Sequence, residues 1–489
     1  MDKIRITFKN ENTTVEVERG TTLLEAQVRA GLQPDAPCGG RGTCGKCRVL
    51  ADGVEVLACQ TVAERDLIVE RMEKHRERIL TGGIAAQTKP DGAHRYALAF
   101  DIGTTTVVAY LLDGHTGEVL AQASRLNPQT QYGADVISRI EMAMNGGADE
   151  LAACIRGALG ELAGEAARKA GIEPGEITLA SIVGNTAMHH LLLNIDPRPL
   201  TKPPYMPKVS EALELPAEGI LPIAADGTVR VLPNIAGFVG ADTVGCLLAT
   251  RFDRLEDLTL MIDIGTNGEI ALGDHRRRLA CSTAAGPAFE GAKISCGMRG
   301  ADGAVDRVWL EDGEVRWHVI GDAEAVGLCG SGLLDLVAVL LENGTIDETG
   351  KLLCGAAYRL GDTKVELTQK DVREVQLAKA AIRAGIELMA ERLGERVENI
   401  RRVLLAGAFG NYLNPASACR IGMIPPCLED RIQGIGNAAG EGAKLCAVSG
   451  DEYAYSARLA GETEFLELAS LPQFQDCYVD ALGFEEDEE

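Results

Sequence analysis

An Asp-Ile-Gly-Thr tetrapeptide occurs twice in this chain, at Asp101 and at Asp263, each time between two apolar stretches. The first copy lies within Ala97-Leu98-Ala99-Phe100-Asp101-Ile102-Gly103-Thr104-Thr105-Thr106-Val107, the second within Met261-Ile262-Asp263-Ile264-Gly265-Thr266-Asn267-Gly268-Glu269-Ile270. Both read as strand, tight turn, strand. A hairpin duplicated this far apart predicts two related lobes. The β-branched strands around it alternate with alanine-rich helical stretches, such as 149–170 and 372–394, as α/β layers do. Gly103 and Gly265 let the backbone pass close to a phosphate, and the amides and hydroxyls of Thr104 and Thr105, matched by Thr266 and Asn267, can donate to its oxygens. Asp101 and Asp263 suit a metal-water shell and orientation of an attacking water. Two such hairpins facing each other would clamp a nucleoside triphosphate with Mg²⁺.

A third element supports that clamp. Val403-Leu404-Leu405-Ala406 is an apolar strand that enters the small-residue loop Gly407-Ala408-Phe409-Gly410-Asn411, where an adenosine ring can lie against Gly407, Ala408 and Gly410. Asp242, after Gly240-Ala241, reads either as a supporting contact to the nucleotide or as a helix cap.

Near the start, Cys38, Cys44, Cys47 and Cys59 have the spacing C-x5-C-x2-C-x11-C in a glycine-rich loop. Three thiolates on one tight loop and a later one closing the cage is the ligand pattern of an iron-sulfur cluster, and small residues such as Gly39, Gly40, Gly42 and Gly45 let backbone amides approach its sulfurs. A structural zinc is the competing reading. The spacing resembles that of adrenodoxin-like ferredoxins, which implies a 2Fe-2S cluster. The flanking residues agree with a small β-grasp domain: strands over 3–8 and 13–18, a helix opened by a Thr22/Glu25 capping box with Leu23, Leu24 and Val28 as its buried stripe, and short strands near 48–50, 54–58 and 67–69. The other ten cysteines, of 14 in all, lack short paired spacing and are expected to be buried inert thiols.

With 489 residues, 46% hydrophobic and 25% charged, the chain is expected to form several globular units. Its formal charge of −24 and the acidic run Glu485-Glu486-Asp487-Glu488-Glu489 argue against a nucleic-acid partner. No window approaches a membrane span and no apolar leader opens the sequence, so a cytoplasmic protein without a membrane partner is expected. Charge and turn residues dominate 73–95, which reads as a linker. The proline-rich stretch 197–235 reads as an extended surface connection.

The three nucleotide elements, in this order, resemble the superfamily of acetate and sugar kinases, heat-shock ATPases and actin. Further motifs narrow the resemblance. They are Asn127-Pro128-Gln129 with Tyr132-Gly133-Ala134-Asp135-Val136, Gly184-Asn185-Thr186-Ala187-Met188-His189, Gly286-Pro287-Ala288-Phe289-Glu290-Gly291 and Gly327-Leu328-Cys329-Gly330-Ser331-Gly332. With the cysteine loop, they make nearly the whole chain similar to the reductive activators of corrinoid proteins. The resemblance implies a β-grasp 2Fe-2S ferredoxin domain at 1–72, a linker at 73–95, and a two-lobed actin-like (ribonuclease H-like) ATPase with lobes at 96–255 and 256–489. It also implies ATP-dependent electron transfer to a Co(II) corrinoid, or cobalamin-binding, protein to regenerate Co(I). Glu290, Gly330 and Ser331 would sit near the nucleotide.

An upstream donor such as a ferredoxin or flavoprotein is implied, and homodimerisation stays open. The short spacer leaves little room for the additional middle domain of longer relatives. Cys427, Cys446 and Cys477 are scattered, so no second cluster is expected. His189 and His190 read as core or helix-surface residues, with a role toward cobalt left open. The alternatives are a small-molecule kinase with an appended redox-sensing ferredoxin domain, and a ferredoxin whose large domain only binds partners.

Overall fold

The structure is a computed structural model. It describes all residues except 1–2, 33, 35, 37–39, 41, 43–45, 72–81, 85, 134, 266 and 485–489, and the side chains of 408 and 411. The N-terminal unit is a five-stranded sheet of order β2-β1-β5-β3-β4, built from β1 (Lys3–Phe8), β2 (Thr13–Glu18), β3 (Arg48–Ala51), β4 (Val54–Leu57) and β5 (Leu67–Arg71). Helix α1 (Leu23–Arg29) starts at Thr22, whose hydroxyl accepts from the Glu25 amide while the Glu25 carboxylate accepts from the Thr22 amide. Its buried residues are Leu23, Ala26 and Gln27, with Leu24 packed partly against them. Val28, expected in that stripe, is only half-buried because the short helix turns its Ala26 side inward.

The rest of the chain repeats one topology. In the first lobe, β6 (Tyr96–Ile102), β7 (Thr106–Asp113) and β8 (Val119–Leu126) run antiparallel in sequence. After α2 (Val136–Met142) and α3 (Ala148–Ala170), β9 (Leu179–Gly184) joins parallel to β6. Helix α4 (Thr186–Leu193) follows, then β10 (Leu213–Pro216) and β11 (Thr228–Val231) extend the sheet beyond β9. The proline-rich stretch is therefore not wholly a surface connection. Pro216 ends the edge strand, where a missing amide costs no ladder bond, and β11 is proline-free. Helix α5 (Ala241–Thr250) closes the lobe.

In the second lobe, β12 (Thr259–Ile264), β13 (Gly268–Gly273) and β14 (Arg278–Thr283) again run antiparallel. A small sheet of β15 (Ala304–Glu311), β16 (Glu314–Val319) and β17 (Gly327–Leu328) follows, with α6 (Gly330–Glu342) and the hairpin β18 (Ala357–Arg359) and β19 (Glu366–Thr368). After α7 (Gln369–Leu393), β20 (Arg402–Ala406) joins parallel to β12. Then come α8 (Gly407–Tyr412), α9 (Pro415–Arg420), β21 (Ile432–Gly436), α10 (Ala438–Val448), α11 (Gly450–Gly461) and β22 (Glu464–Phe465).

Both faces of these central strands are covered, which is why they read as unbroken apolar runs. Leu98, Phe100 and Ile102 pack with α3, whereas Ala97 and Ala99 face the layer holding α5 and α10. That middle layer also takes Met261, Ala271 and Leu404 from the second lobe. Small residues bring its two helices into backbone contact: a Cβ on Gly442 would lie 2.2 Å from the Gly245 carbonyl oxygen, and one on Gly245 would lie 2.8 Å from that of Ala439. The α5/α10 crossing is thus the joint between the lobes.

The described part of the segment expected as a linker, from residue 82, holds no helix or strand, yet it is fastened across that joint. The Asn437 amide donates to the Gly82 carbonyl (2.9 Å), Ile84 N to Ile435 O (2.9 Å), Ala86 N to Ala249 O (2.7 Å) and Asp91 N to Val448 O (3.0 Å). Gly83 N donates to Glu441 Oε1 (3.1 Å), and Thr88 Oγ1 to Glu452 Oε1 (2.7 Å). Ala249 and Val448 lie in the last turns of α5 and α10, whose carbonyls need outside donors. Such bonds to helix ends follow no sequence period, so composition alone misses them.

Candidate functional site

The site lies at the carboxyl ends of the parallel strands, where α/β sheets place ligands. Asp101 is the last residue but one of β6 and Asp263 the last but one of β12, so the two expected carboxylates occupy equivalent places in the repeat. Burial is the main force on both. It pushes Asp101 up to about 7, against a hydrogen bond from Asn437 Nδ2 to Asp101 Oδ2 (2.9 Å) and with the charge of Asp242 adding to the rise. Burial, then Asp242 and Asp101, push Asp263 up to about 7. Asp242 itself is raised to about 6 by burial, despite the donation from Thr243 N (2.7 Å). It lies in the first turn of α5, where Gly240 is the cap residue, so it is not the helix cap, and its charge adds to the rise of both aspartates. Glu269, on β13, is raised by burial and then by Asp242 and Asp263. A carboxylate set this crowded fits a divalent cation.

Among the described residues, no group of three or more His, Cys, Asp or Glu side chains is arranged to hold a metal ion alone.

Glu290 spans the two hairpins. It ends the turn Pro287–Glu290, its Oε2 accepts from Thr105 Oγ1 (2.6 Å), and its Oε1 lies 3.9 Å from where a Gly265 Cβ would be. The other expected residues fall around this bridge. Gly103 N donates to Thr106 O (2.9 Å), closing the first turn, and Thr104 Oγ1 accepts from Asn185 Nδ2 (2.9 Å). In the second turn Gly265 N donates to Asn267 O (2.9 Å), while Thr266 lies outside the described residues. Gly407 has φ +80°, and a Cβ there would lie 2.6 Å from Asp263 Oδ1. Only glycine tolerates both that conformation and that approach.

Gly410, on α8, packs back on β20, its Cβ position 3.1 Å from Leu405 Cβ; Ala408 follows Gly407 in the first turn of the same helix. Gly330 sits against Phe289, whose ring stacks on Phe409 at 5.2 Å. The Ser331 hydroxyl is engaged with the Asp306 carbonyl (2.9 Å), so it braces the start of α6.

Sequence reasoning missed Asn437, Glu269 and Arg139. The available signal was Gly436-Asn437-Ala438-Ala439-Gly440, a small-residue helix start like Gly240-Ala241-Asp242 at the other joint helix. His189 and His190 are both buried in α4. His189 Nδ1 meets Asn234 Nδ2 (2.8 Å), and His190 Nε2 accepts from Lys208 N (3.0 Å). Burial lowers His189 to about 4, so it is neutral. These contacts fit the core role.

In the N-terminal unit, Cys47 and Cys59 are both buried at the open end of the β3–β4 hairpin, where Ala58 N donates to Cys47 O (2.8 Å). Cys38 and Cys44 lie outside the described residues. Gly40 and Gly42 have φ +83° and +75°, and Gln60 Nε2 reaches Cys59 Sγ at 3.6 Å. Two thiols at a glycine-turned loop fit a thiolate-held cluster. Of the cysteines expected to be inert and buried, Cys354, in a turn, and Cys427, on a short 3-10 helix, are exposed, and Cys154, Cys296 and Cys477 are half-buried. Cys59→Ala is expected to abolish the visible absorption of anaerobically reconstituted protein; a retained spectrum would remove Cys59 from the ligand set. The cluster loop touches the second lobe through Lys46, whose Nζ donates to the Gly297 carbonyl.

No helix among the described residues is long and apolar enough to cross a membrane. Three family models match: a 2Fe-2S iron-sulfur cluster binding domain over residues 6–68, the RACo middle region over 96–255, and the C-terminal, ASKHA domain of RACo over 257–489. The family's middle region is thus matched by the first lobe itself. The corrinoid activation enzyme RamQ of Eubacterium limosum is 38% identical over 413 residues, 78% of this chain and 69% of that protein. A [Co(II) methylated amine-specific corrinoid protein] reductase of Methanosarcina barkeri is 28% identical over 376 residues, 68% of this chain and 66% of that protein, so the chain spans about two thirds of each relative. A solved reductive activator for corrinoid, iron-sulfur protein matches with TM-score 0.72 and 29% identity over 98% of both chains. On a duplicated ATPase fold joined to a cluster-binding sheet, these matches leave one assignment: the chain belongs to the RACo family of reductive activators of corrinoid proteins.

Proposed function

We propose that this protein passes an electron from a 2Fe-2S cluster, held by Cys38, Cys44, Cys47 and Cys59 in a domain at 1–72, to a Co(II) corrinoid protein, yielding Co(I). ATP is hydrolysed between lobes at 96–255 and 256–489. The cluster, when bound, supplies a one-electron store, which an upstream ferredoxin or flavoprotein refills in the cytoplasm. Asp101 and Asp263 would hold the water shell of a Mg²⁺ ion, which would supply charge compensation to the phosphates, and would orient the attacking water. Glu290 reads closure, because its carboxylate accepts from Thr105 on one hairpin and lies beside Gly265 on the other. The carrying observation is that crossing of the cleft by the Thr105–Glu290 bond.

The coupling has a physical route. Asn437 gives its side chain to Asp101 and its amide to Gly82. Glu441, which accepts from Gly83, also pairs with Lys444 (2.6 Å), and Lys444 lies over the Tyr110 ring at 5.0 Å. Any shift of α10 on nucleotide binding therefore pulls the strap that leads to the cluster domain. An uphill transfer of about 200 mV needs roughly 5 kcal/mol, comparable to the differential affinity that shifts a two-state equilibrium almost fully, about 5.5 kcal/mol.

ATP turnover followed with and without a Co(II) corrinoid protein tests the reading. Stimulation by the partner is expected. Stoichiometric phosphorylation of a small metabolite instead would overturn it in favour of a kinase.

A further inference from the structure

The element 127–142 packs against the first phosphate turn and buries three polar side chains there. Asn127, Gln129 and Arg139 are 0%, 1% and 0% exposed. Burying a guanidinium this completely is costly unless its donors are used. Its partners are Thr104 O at 2.5 Å from Nη2, Gly133 O at 2.9 Å from Nε, and Met188 Sδ at 3.4 Å from Nη1. Asn127 binds the same turn twice: its Nδ2 donates to Gly103 O (2.8 Å) and its amide to Thr105 O (2.8 Å). Three successive carbonyls, those of Gly103, Thr104 and Thr105, are thus held from one side.

A peptide unit is planar and trans, so its C=O and the following N–H point in opposite directions. Pinning the carbonyls of Gly103 and Thr104 fixes the amides of Thr104 and Thr105 on the opposite side, as a concave pair of donors that suits an anion. The hydroxyls are ordered in the same way. Thr104 Oγ1 accepts from Asn185, which leaves its own proton to donate, and Thr105 Oγ1 donates to Glu290. The clamp is itself anchored: Asn127 Oδ1 accepts from Gln129 N (3.0 Å), Gln129 Nε2 donates to Leu151 O (2.9 Å), and α2, which carries Arg139, is capped by Asp135 through Ser138 N (2.8 Å). Burial lowers Arg139 only to about 10, so it stays charged at neutral pH.

We propose that Arg139 is a positioning residue of ATP turnover which, with Asn127, turns the backbone amides of Thr104 and Thr105 toward the nucleotide phosphates. The inference rests on the reading of this turn as a phosphate site. Arg139 never touches the nucleotide; it acts through the carbonyls. A lysine keeps the charge but loses the planar fork that serves Thr104 and Gly133 together.

The test titrates ATP and adenosine into the full-length, cluster-loaded protein as wild type, Arg139→Lys and Asn127→Ser. Arg139→Lys is expected to weaken ATP by about 10- to 100-fold, the range for losing a charged hydrogen bond, with adenosine affinity unchanged. Asn127→Ser, which keeps an oxygen for Gln129 N but shortens the donor to Gly103, should move the ATP-to-adenosine ratio the same way by about 3- to 10-fold. If Arg139→Lys does not fold, Asn127→Ser decides. A wild-type ratio in the folded variants would overturn the positioning role alone. A wild-type protein that binds adenosine as well as ATP would overturn the phosphate-site reading, and the inference with it.

Discussion

Asp263→Asn protein, loaded with its cluster, is expected to lose ATP turnover by a factor on the order of 100 or more while keeping the visible spectrum of the wild type. Asparagine has the shape of the carboxylate it replaces, so the close approach of Gly407 is undisturbed and the fold persists. What disappears is the charge that, on the proposed reading, would order Mg²⁺ and water. The same substitution should change stability in the opposite sense. Burial and Asp242 hold Asp101 and Asp263 at about 7, far above an ordinary aspartate. A carboxylate raised in the fold favours the folded state at low pH, and that advantage is lost as pH rises through its folded value. Nucleotide-free wild-type protein should therefore melt at a lower temperature at pH 8 than at pH 6, with a smaller difference in Asp263→Asn. Thermal unfolding at the two pH values measures both, and an equal pH response in the two proteins would contradict the crowding of carboxylates described here.

The second large effect is expected at the strap. A valine at position 83 would place its Cβ 2.8 Å from the Ile435 carbonyl and 2.9 Å from the Asn437 carbonyl carbon. The clasp that joins Gly82 and Gly83 to Asn437 and Glu441 must then open. ATP turnover should survive within a few-fold, because Asn437 loses only the Gly82 carbonyl as partner of its amide while its side chain keeps the bond to Asp101. The yield of Co(I) per ATP should fall by about 10-fold, within the usual range of coupling free energies. Counting phosphate released against Co(I) formed measures the ratio. A Gly83→Val protein with the wild-type ratio would show that the strap carries nothing between the two halves.

How much of this was legible in the sequence differs by element. The hairpins at Asp101 and Asp263 were, because strand, glycine turn and strand leave a local pattern. The ferredoxin-like sheet was too, down to the Thr22/Glu25 capping box. The strap was not: its bonds go to carbonyls at the ends of α5 and α10, far away in sequence and without period. Strands β10 and β11 were hidden by prolines that mark loops in most contexts but here flank a sheet edge. Within the site, Asn437 and Arg139 stand in no motif that the sequence singles out: Asn437 caps α10 and reaches Asp101 only through the fold, and Arg139 on α2 reaches the Thr104 carbonyl only there. Ser331 shows the converse, a motif residue whose hydroxyl is engaged with a backbone carbonyl of its own lobe.

The central claim is that ATP hydrolysis in the cleft drives the electron from the cluster to cobalt. Anaerobic protein with its cluster already reduced, mixed with a Co(II) corrinoid protein, measures this directly through the absorbance of Co(I). The account predicts that Co(I) appears with Mg·ATP and stays near baseline without it. Equal formation of Co(I) in the two cases would contradict it.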